Sequence, residues 1–170
     1  MSAQLSTRNG PVHDGHDEAI HNGGVHNGVV KIGRDDIPPN RRRGGEIRVV
    51  LGPRTVGSTS GFLGTLDLAP SEFVAEHYHP YSEEFLYVVS GEMDAKVDGQ
   101  PIHLVAGEGL MVPIGIRHRV ENNGTVPARA VFHLAPLAPQ PALGHVDTEP
   151  LPNPHLPPPA VAAPAEGGAG

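Results

Sequence analysis

The sequence contains no cysteine among its 170 residues. This excludes a disulfide-stapled scaffold, a thiolate zinc site and a cysteine nucleophile. Positive charge is also scarce, since 12 Lys and Arg residues against 19 Asp and Glu residues give a net charge of -7. An acidic chain binds nucleic acid poorly, because neutralisation of phosphates dominates that affinity. We therefore expect no nucleic-acid partner.

Long apolar runs and the apolar segment of a secretory signal are missing as well. A membrane span needs ~20 consecutive apolar residues, and the N-terminus here is polar. We therefore expect no membrane association and a cytoplasmic location. By contrast, 22 Gly and 19 Pro residues together make up about a quarter of the chain. At that level disordered segments are expected.

The composition divides the chain into three parts. Residues 1–40 are rich in His and Gly, and residues 151–170 are rich in Pro and Ala. Neither part has enough large apolar residues to offset the entropy lost on folding, so both are predicted to be disordered tails. Residues 41–150 are predicted to form one folded domain.

Residues 41–150 contain short runs of β-branched, Leu and Phe residues separated by Gly, Pro, Asn and Asp. Many short strands at this spacing predict an all-β domain, either an antiparallel sandwich or a closed barrel. The run Glu84–Val89 is apolar on both of its faces. Such a strand needs cover outside the barrel, from a second sheet layer or a second subunit, and we favour a homodimer.

Three histidines and one glutamate stand out within these strands. His77 and His79 alternate along a predicted strand, so their side chains point to the same face. Two buried imidazoles are costly without partners, and a metal ion would satisfy both. Glu84 opens the next strand, whose antiparallel return brings its carboxylate towards the pair. His118 begins a later strand after the turn at Pro113–Gly115.

This arrangement resembles the two motifs of the cupin family. Its first motif carries two histidines one residue apart, then a glutamate and a glycine, and Ser71 stands where a leading glycine is usual. The second motif matches at every position. The matching residues are His77, His79, Glu84 and Gly91, followed by Gly107, Pro113, Gly115, His118 and Asn122. The resemblance implies a single small antiparallel β-barrel, a double-sheet jelly roll, with a metal at its centre.

A narrower resemblance connects the chain with the cupin-type aromatic polyketide cyclases of the tetracenomycin and resistomycin type. It is carried by Thr55–Gly64, His77–Gly91, Val112–Asn122 and Val131–Glu149. It implies a metal-dependent aldol-type cyclisation and aromatisation of a poly-β-ketone in antibiotic biosynthesis. The substrate would be bound to an acyl carrier protein.

The cyclase resemblance also implies a site rich in histidine that holds a divalent metal, with zinc as the first choice. The expected ligands are His77, His79, His118 and His133, although His133 shares a strand face with Arg129. Glu84 is either a further ligand or the catalytic acid/base. The predicted substrate-binding residues that line the barrel interior are Phe62, Phe73, Leu86, Met111 and Phe132.

Two other functions remain open on the sequence alone. The same ligands bind iron, nickel or manganese, so a cupin dioxygenase acting on an aromatic or enolised diketone is one alternative. A non-catalytic cupin that binds a small molecule is the other, because a fold alone does not give a function.

Overall fold

The computed structural model describes residues 25–26 and 28–161. Most of the predicted His- and Gly-rich tail (residues 1–24 and 27) and residues 162–170 lie outside the described residues. Nearly all regular structure is β-strand. The strands are β1 (Val25–His26), β2 (Val29–Val30), β3 (Glu46–Leu51), β4 (Phe62–Leu68), β5 (Phe73–Tyr78), β6 (Glu83–Ser90), β7 (Glu92–Val97), β8 (Gln100–Val105), β9 (Gly109–Val112), β10 (His118–Glu121), β11 (Ala128–Ala135) and β12 (Val146–Asp147).

Among the described residues, helical structure is confined to short turns. They are α1 (Pro53–Val56) and two 3-10 turns at Arg34–Asp36 and Pro141–Leu143. In the described part of the chain, no helix is long and apolar enough to cross a membrane.

Two five-stranded antiparallel sheets form the domain, in the orders β12-β5-β10-β7-β8 and β3-β4-β11-β6-β9. Their inner faces enclose an apolar core that includes Leu68, Val88 and Met93, which are almost completely buried. This confirms the predicted double-sheet jelly roll. Both central residues of the turn between β7 and β8, Asp98 and Gly99, have positive φ values of 47° and 78°. This agrees with the hairpin turn that Asp-Gly predicts.

Strand β5 contains a β-bulge that the sequence pattern does not reveal. His118 of β10 is opposite His77, whereas Val120 is opposite Val74, so β5 has one more residue than β10 over the same length. The extra residue allows Val74 and His77 both to face the interior, although they are three positions apart.

The segments on either side of the barrel pack on it over part of their length. Asn40 forms a bridge with Ile47 of β3, and Arg34 pairs with Asp67 of β4 at 2.6 Å. At the other end, the main-chain amide of Arg54 donates to the carbonyl of Val161 at 3.2 Å. Residues 28–40 and 151–161 therefore differ from the disordered tails that the composition predicts.

Candidate metal centre

Four side chains converge between the two sheets at one end of the barrel. One ligand atom from each of His77, His79, Glu84 and His118 lies within 4.8 Å of the other three. His77 and His118 are opposite each other on the neighbouring strands β5 and β10. His79 directly follows β5, and Glu84 reaches the cluster from β6 in the facing sheet. The structure thus brings together four residues that the sequence selected.

Each imidazole of this cluster is held by a backbone carbonyl at Nδ1. His77 Nδ1 is 2.7 Å from the carbonyl oxygen of Ala75, and His118 Nδ1 is 3.0 Å from that of Ile116. His79 Nδ1 is 2.8 Å from the carbonyl oxygen of Gly144. A carbonyl only accepts hydrogen bonds, so each Nδ1 carries a proton and donates it. The Nε2 atoms are left to bind a ligand, as in many metal sites.

The carboxylate of Glu84 faces two of these imidazoles. Its Oε2 is 3.0 Å from His79 Nε2 and 2.9 Å from His118 Nε2. Burial by itself would raise the pKa of Glu84, but hydrogen bonds from His118 and His79 outweigh it and hold the pKa well below its usual value. Glu84 is therefore ionised at neutral pH.

Two histidines of the cluster, His77 and His118, differ in the direction in which their pKa is shifted. Burial lowers the pKa of His77 well below its usual value, and the neighbouring charges of His118 and His145 lower it further. For His118, burial also lowers the pKa, but the hydrogen bond to Glu84 reverses the direction and raises it. A cation that replaces the Nε2 proton of His118 would keep the Glu84 charge compensated.

The donor set fits a divalent metal ion. Three imidazole nitrogens and one carboxylate oxygen suit zinc and other divalent first-row metals. The rings are preoriented by backbone carbonyls, and the carboxylate supplies a buried negative charge. His77, His79, His118 and Glu84 can therefore hold such an ion.

An apolar cavity of about 320 Å³ adjoins the cluster. This is near the lower end of the range of small-molecule sites. Phe62 and Phe132 meet edge to face on its wall, with ring centroids 6.3 Å apart. Leu86 also lines it, so three of the five predicted substrate-binding residues border the cavity. Pro158, Pro159 and Val161 from the C-terminal segment complete part of the wall.

The position of His133 corrects the expectation that it is a metal ligand. Strand β11 alternates without interruption: Ala130 and Phe132 are buried inside, and Arg129 points outward. His133 therefore lies on the outer face with Arg129, and its ring centroid is 6.2 Å from that of Phe85. The irregularity between β11 and β6 adds a residue to β6 and leaves the alternation of β11 intact.

Two predicted substrate-binding residues also lie outside the cavity wall. Phe73 precedes the bulge of β5, and the guanidinium of Arg119 covers its ring at 3.8 Å from the centroid. Met111 lies between Val112 and Leu110, which pack inside, so its own side chain is half exposed on the outer face. Both corrections follow from strand alternation, which in β5 is shifted by the bulge.

His145 also lies beside the cluster, although the sequence did not indicate it as a site residue. Its ring stacks on that of His77, with centroids 4.3 Å apart and an interplanar angle of 17°. His145 precedes the short strand β12, which pairs with β5. No motif contains it, and a Pro- and Gly-rich segment gives no period from which its position could be read.

Comparisons with known proteins indicate the family of the chain. Residues 64–134 match the family model described as a cupin domain. The chain is 53% identical over 133 residues to the tetracenomycin polyketide synthase protein TcmJ of Streptomyces glaucescens, covering 78% of this chain and 89% of that protein. It is 58% identical over 114 residues to the polyketide synthase CurC of Streptomyces cyaneus, covering 67% of this chain and 74% of that protein.

A solved structure supports the fold. A Klebsiella pneumoniae protein with a double-stranded β-helix domain superimposes with a TM-score of 0.57 and 23% identity, covering 71% of this chain and 97% of the other. At this identity the likeness concerns the fold alone. On the strength of the motifs, the fold and the identity with TcmJ and CurC, the chain belongs to the cupin family, in the group associated with polyketide synthases.

Proposed function

We propose that this protein is a metal-dependent polyketide cyclase that closes and aromatises a ring of a poly-β-ketone by intramolecular aldol condensation. The observation that carries the proposal is the cluster of three imidazoles and one carboxylate on the wall of an apolar cavity. The names of TcmJ and CurC as polyketide synthase proteins supply the substrate class.

The reaction needs no change of oxidation state. A methylene between two carbonyls loses a proton, and its carbon forms a bond to a distant carbonyl carbon. The oxygen of that carbonyl takes up a proton and later leaves as water, together with a second proton from the former methylene carbon. Enolisation of the remaining ring carbonyls then gives the aromatic ring. A bound divalent ion, zinc in this proposal, would supply Lewis acidity toward a carbonyl oxygen.

The residues of the chain would then hold the ion and handle the substrate. His77, His79 and His118 are the proposed ligands through Nε2. Glu84, ionised at neutral pH, is available as a further ligand or as the group that accepts the methylene proton. The aromatic wall of Phe62 and Phe132 would restrict the flexible chain to a reactive conformer, from which much of the rate gain would come.

We also propose a homodimer. Phe85, Tyr87 and Val89 form an exposed apolar row on the outer face of β6, with Met111 beside them on β9. Contiguous apolar surface of this kind is uncommon on monomers. A second copy related by a two-fold axis would bury the same patch on both subunits. Delivery of the substrate on an acyl carrier protein and a cytoplasmic location stay predictions from the sequence.

The experiment that tests the function combines metal analysis with a cyclisation assay. The metal content of the full chain is measured by mass spectrometry, next to the double variant His77→Ala/His79→Ala. The proposal expects the double variant to lose about one zinc per chain. The His-rich N-terminal residues are present in both proteins, so their contribution cancels in the difference.

Both proteins are then supplied with a poly-β-ketone from a reconstituted polyketide synthase. The proposal expects ring closure by the unmutated chain and by His133→Ala, and background products from the double variant and from the chelator-treated protein. Normal product formation by the double variant would overturn the proposal. Oxygen uptake with iron, nickel or manganese bound would replace it with the dioxygenase alternative.

A further inference from the structure

The turn that contains Gly144 and His145 reaches the metal centre from a segment outside both cupin motifs. The segment after β11 makes the 3-10 turn at Pro141–Leu143 and then adds β12 to the edge of β5. In this pairing Asp147 is opposite His77. The residues between the 3-10 turn and the end of β12 are therefore held directly beside the two histidines of the first motif.

The carbonyl that accepts the hydrogen bond of His79 comes from a distant part of the chain, unlike those that accept from His77 and His118. His77 and His118 each donate from Nδ1 to a carbonyl two residues earlier in their own segment. His79 instead donates to Gly144, 65 positions later in the chain. The orientation of the His79 ring therefore depends on the turn.

His77 depends on the same turn through a different contact. The ring of His145 stacks on that of His77 with an interplanar angle of 17°, so it restricts rotation of the His77 ring about its Cβ–Cγ bond. His145 is itself held in place. Its Nε2 donates to Oδ1 of Asp147 at 2.8 Å, and Nε of Arg43 donates to the same oxygen at 2.7 Å.

We propose that the turn Gly144–Asp147 positions His77 and His79 for metal binding, with His145 as the positioning residue. This inference rests on the proposed metal site. Groups that orient metal-bound histidines contribute about 10- to 100-fold to metal affinity. Here one element supplies a carbonyl to one ligand and a stacked ring to another.

The test measures zinc affinity by competition with a chromophoric chelator, and the visible absorption of the cobalt-substituted protein. His145→Ala removes the ring, and His145→Phe keeps a flat ring in the stack without the hydrogen bond to Asp147. We expect His145→Ala to weaken zinc binding about 10- to 100-fold and to change the cobalt bands. His145→Phe should recover most of the affinity. The exposed His103→Ala is the matched control and should leave both measurements unchanged.

Several results separate this inference from the metal site itself. Thermal unfolding of the metal-free variants shows whether they fold. If His145→Ala does not fold, His145→Phe still tests the contribution of the stacked ring. Normal zinc affinity and an unchanged cobalt spectrum in His145→Ala would overturn the role of the turn and leave the metal site intact. Failure of the unmutated protein to bind zinc or cobalt at this cluster would overturn both.

Discussion

The side-chain amide of Asn40 donates a hydrogen bond of 2.9 Å to the carbonyl of Pro157, which joins the segment before the barrel to the segment after it. Further bonds follow the same path: Arg42 donates to the carbonyls of Pro154 and Leu156, and Asn153 donates to the carbonyl of Arg41 at 2.7 Å. Residues 151–161 thus form a C-terminal strap that is held by the residues preceding β3 and contributes to the cavity wall.

Replacing Arg42 with Ala should loosen the C-terminal strap. The guanidinium of Arg42 provides two bonds to strap carbonyls, and charged hydrogen bonds of this kind contribute about 1.5 to 3 kcal/mol. We expect amide hydrogen exchange in residues 153–161 to accelerate about tenfold or more. Arg41→Ala is the control, since the Arg41 side chain pairs with Glu46 and Glu72 instead. Equal exchange in the two variants would show that Arg42 does not hold the strap.

Replacing Phe132 with Leu should change the distribution of cyclised products. Phe132 is buried on the cavity wall against Phe62, and an edge-to-face aromatic pair contributes about 0.5 to 1.5 kcal/mol beyond its buried area. We expect a modest loss of stability in urea unfolding and more misfolded shunt products in the polyketide assay. Phe85→Leu, on the outer face, should give the products of the unmutated protein. A Phe132→Leu enzyme with an unaltered product profile would argue against selection of the conformer by this wall.

Introducing a charge at Tyr87 should separate the proposed dimer. Tyr87 is 52% exposed in the centre of the apolar row on β6, and a two-fold interface would place two introduced carboxylates in apolar surroundings. We expect Tyr87→Glu to sediment as a monomer while the unmutated chain sediments as a dimer. Val105→Glu, at a comparably exposed apolar position on β8, should leave the sedimentation unchanged. If the unmutated chain is itself monomeric at micromolar concentration, the homodimer is wrong.

Replacing Ser71 with Gly should stabilise the fold. Ser71 has a φ of 69°, in the left-handed region, at the position where the cupin motif has its leading glycine. A residue with a Cβ pays about 1 to 2 kcal/mol there, and part of the gain from glycine is offset by its greater freedom in the unfolded chain. We expect a gain of up to about 1 kcal/mol in urea unfolding. The exposed Ser90→Gly, in strand β6, should instead destabilise the protein. A loss of stability in Ser71→Gly would mean that the serine side chain has a role that its conformation does not indicate.

The sequence predicted the strands well because short apolar runs and strong turn residues mark them. It also indicated His77, His79, Glu84 and His118, since strand alternation and motif spacing both predict that their side chains face the interior. It failed where the backbone departs from the average. The bulge of β5 has no composition signal and turns Phe73 outward.

Long-range contacts were the second limit. The proline-rich residues 151–161 were predicted to be disordered because they include few large apolar side chains that could be buried. Asn40 and Arg42 hold these residues through hydrogen bonds to their main-chain carbonyls. Every residue has a main-chain carbonyl, so such bonds leave no signal in the sequence. His145 is similar, since its place beside His77 follows from the pairing of β12 with β5. Such partners become visible only when the chain is folded.

The extra residue in β5 gives this strand a tolerance to changes in length that β11 does not have. Losing Glu76 would restore plain alternation and still leave Val74 and His77 on the inner side, at the expense of the bond from Thr148 to Glu76. Losing one residue from the middle of β11 would exchange inner and outer side chains over the rest of that strand. Related proteins could thus have one residue fewer in β5 before His77 and keep the site. A sequence pattern for such sites should therefore allow a variable number of residues before the first histidine.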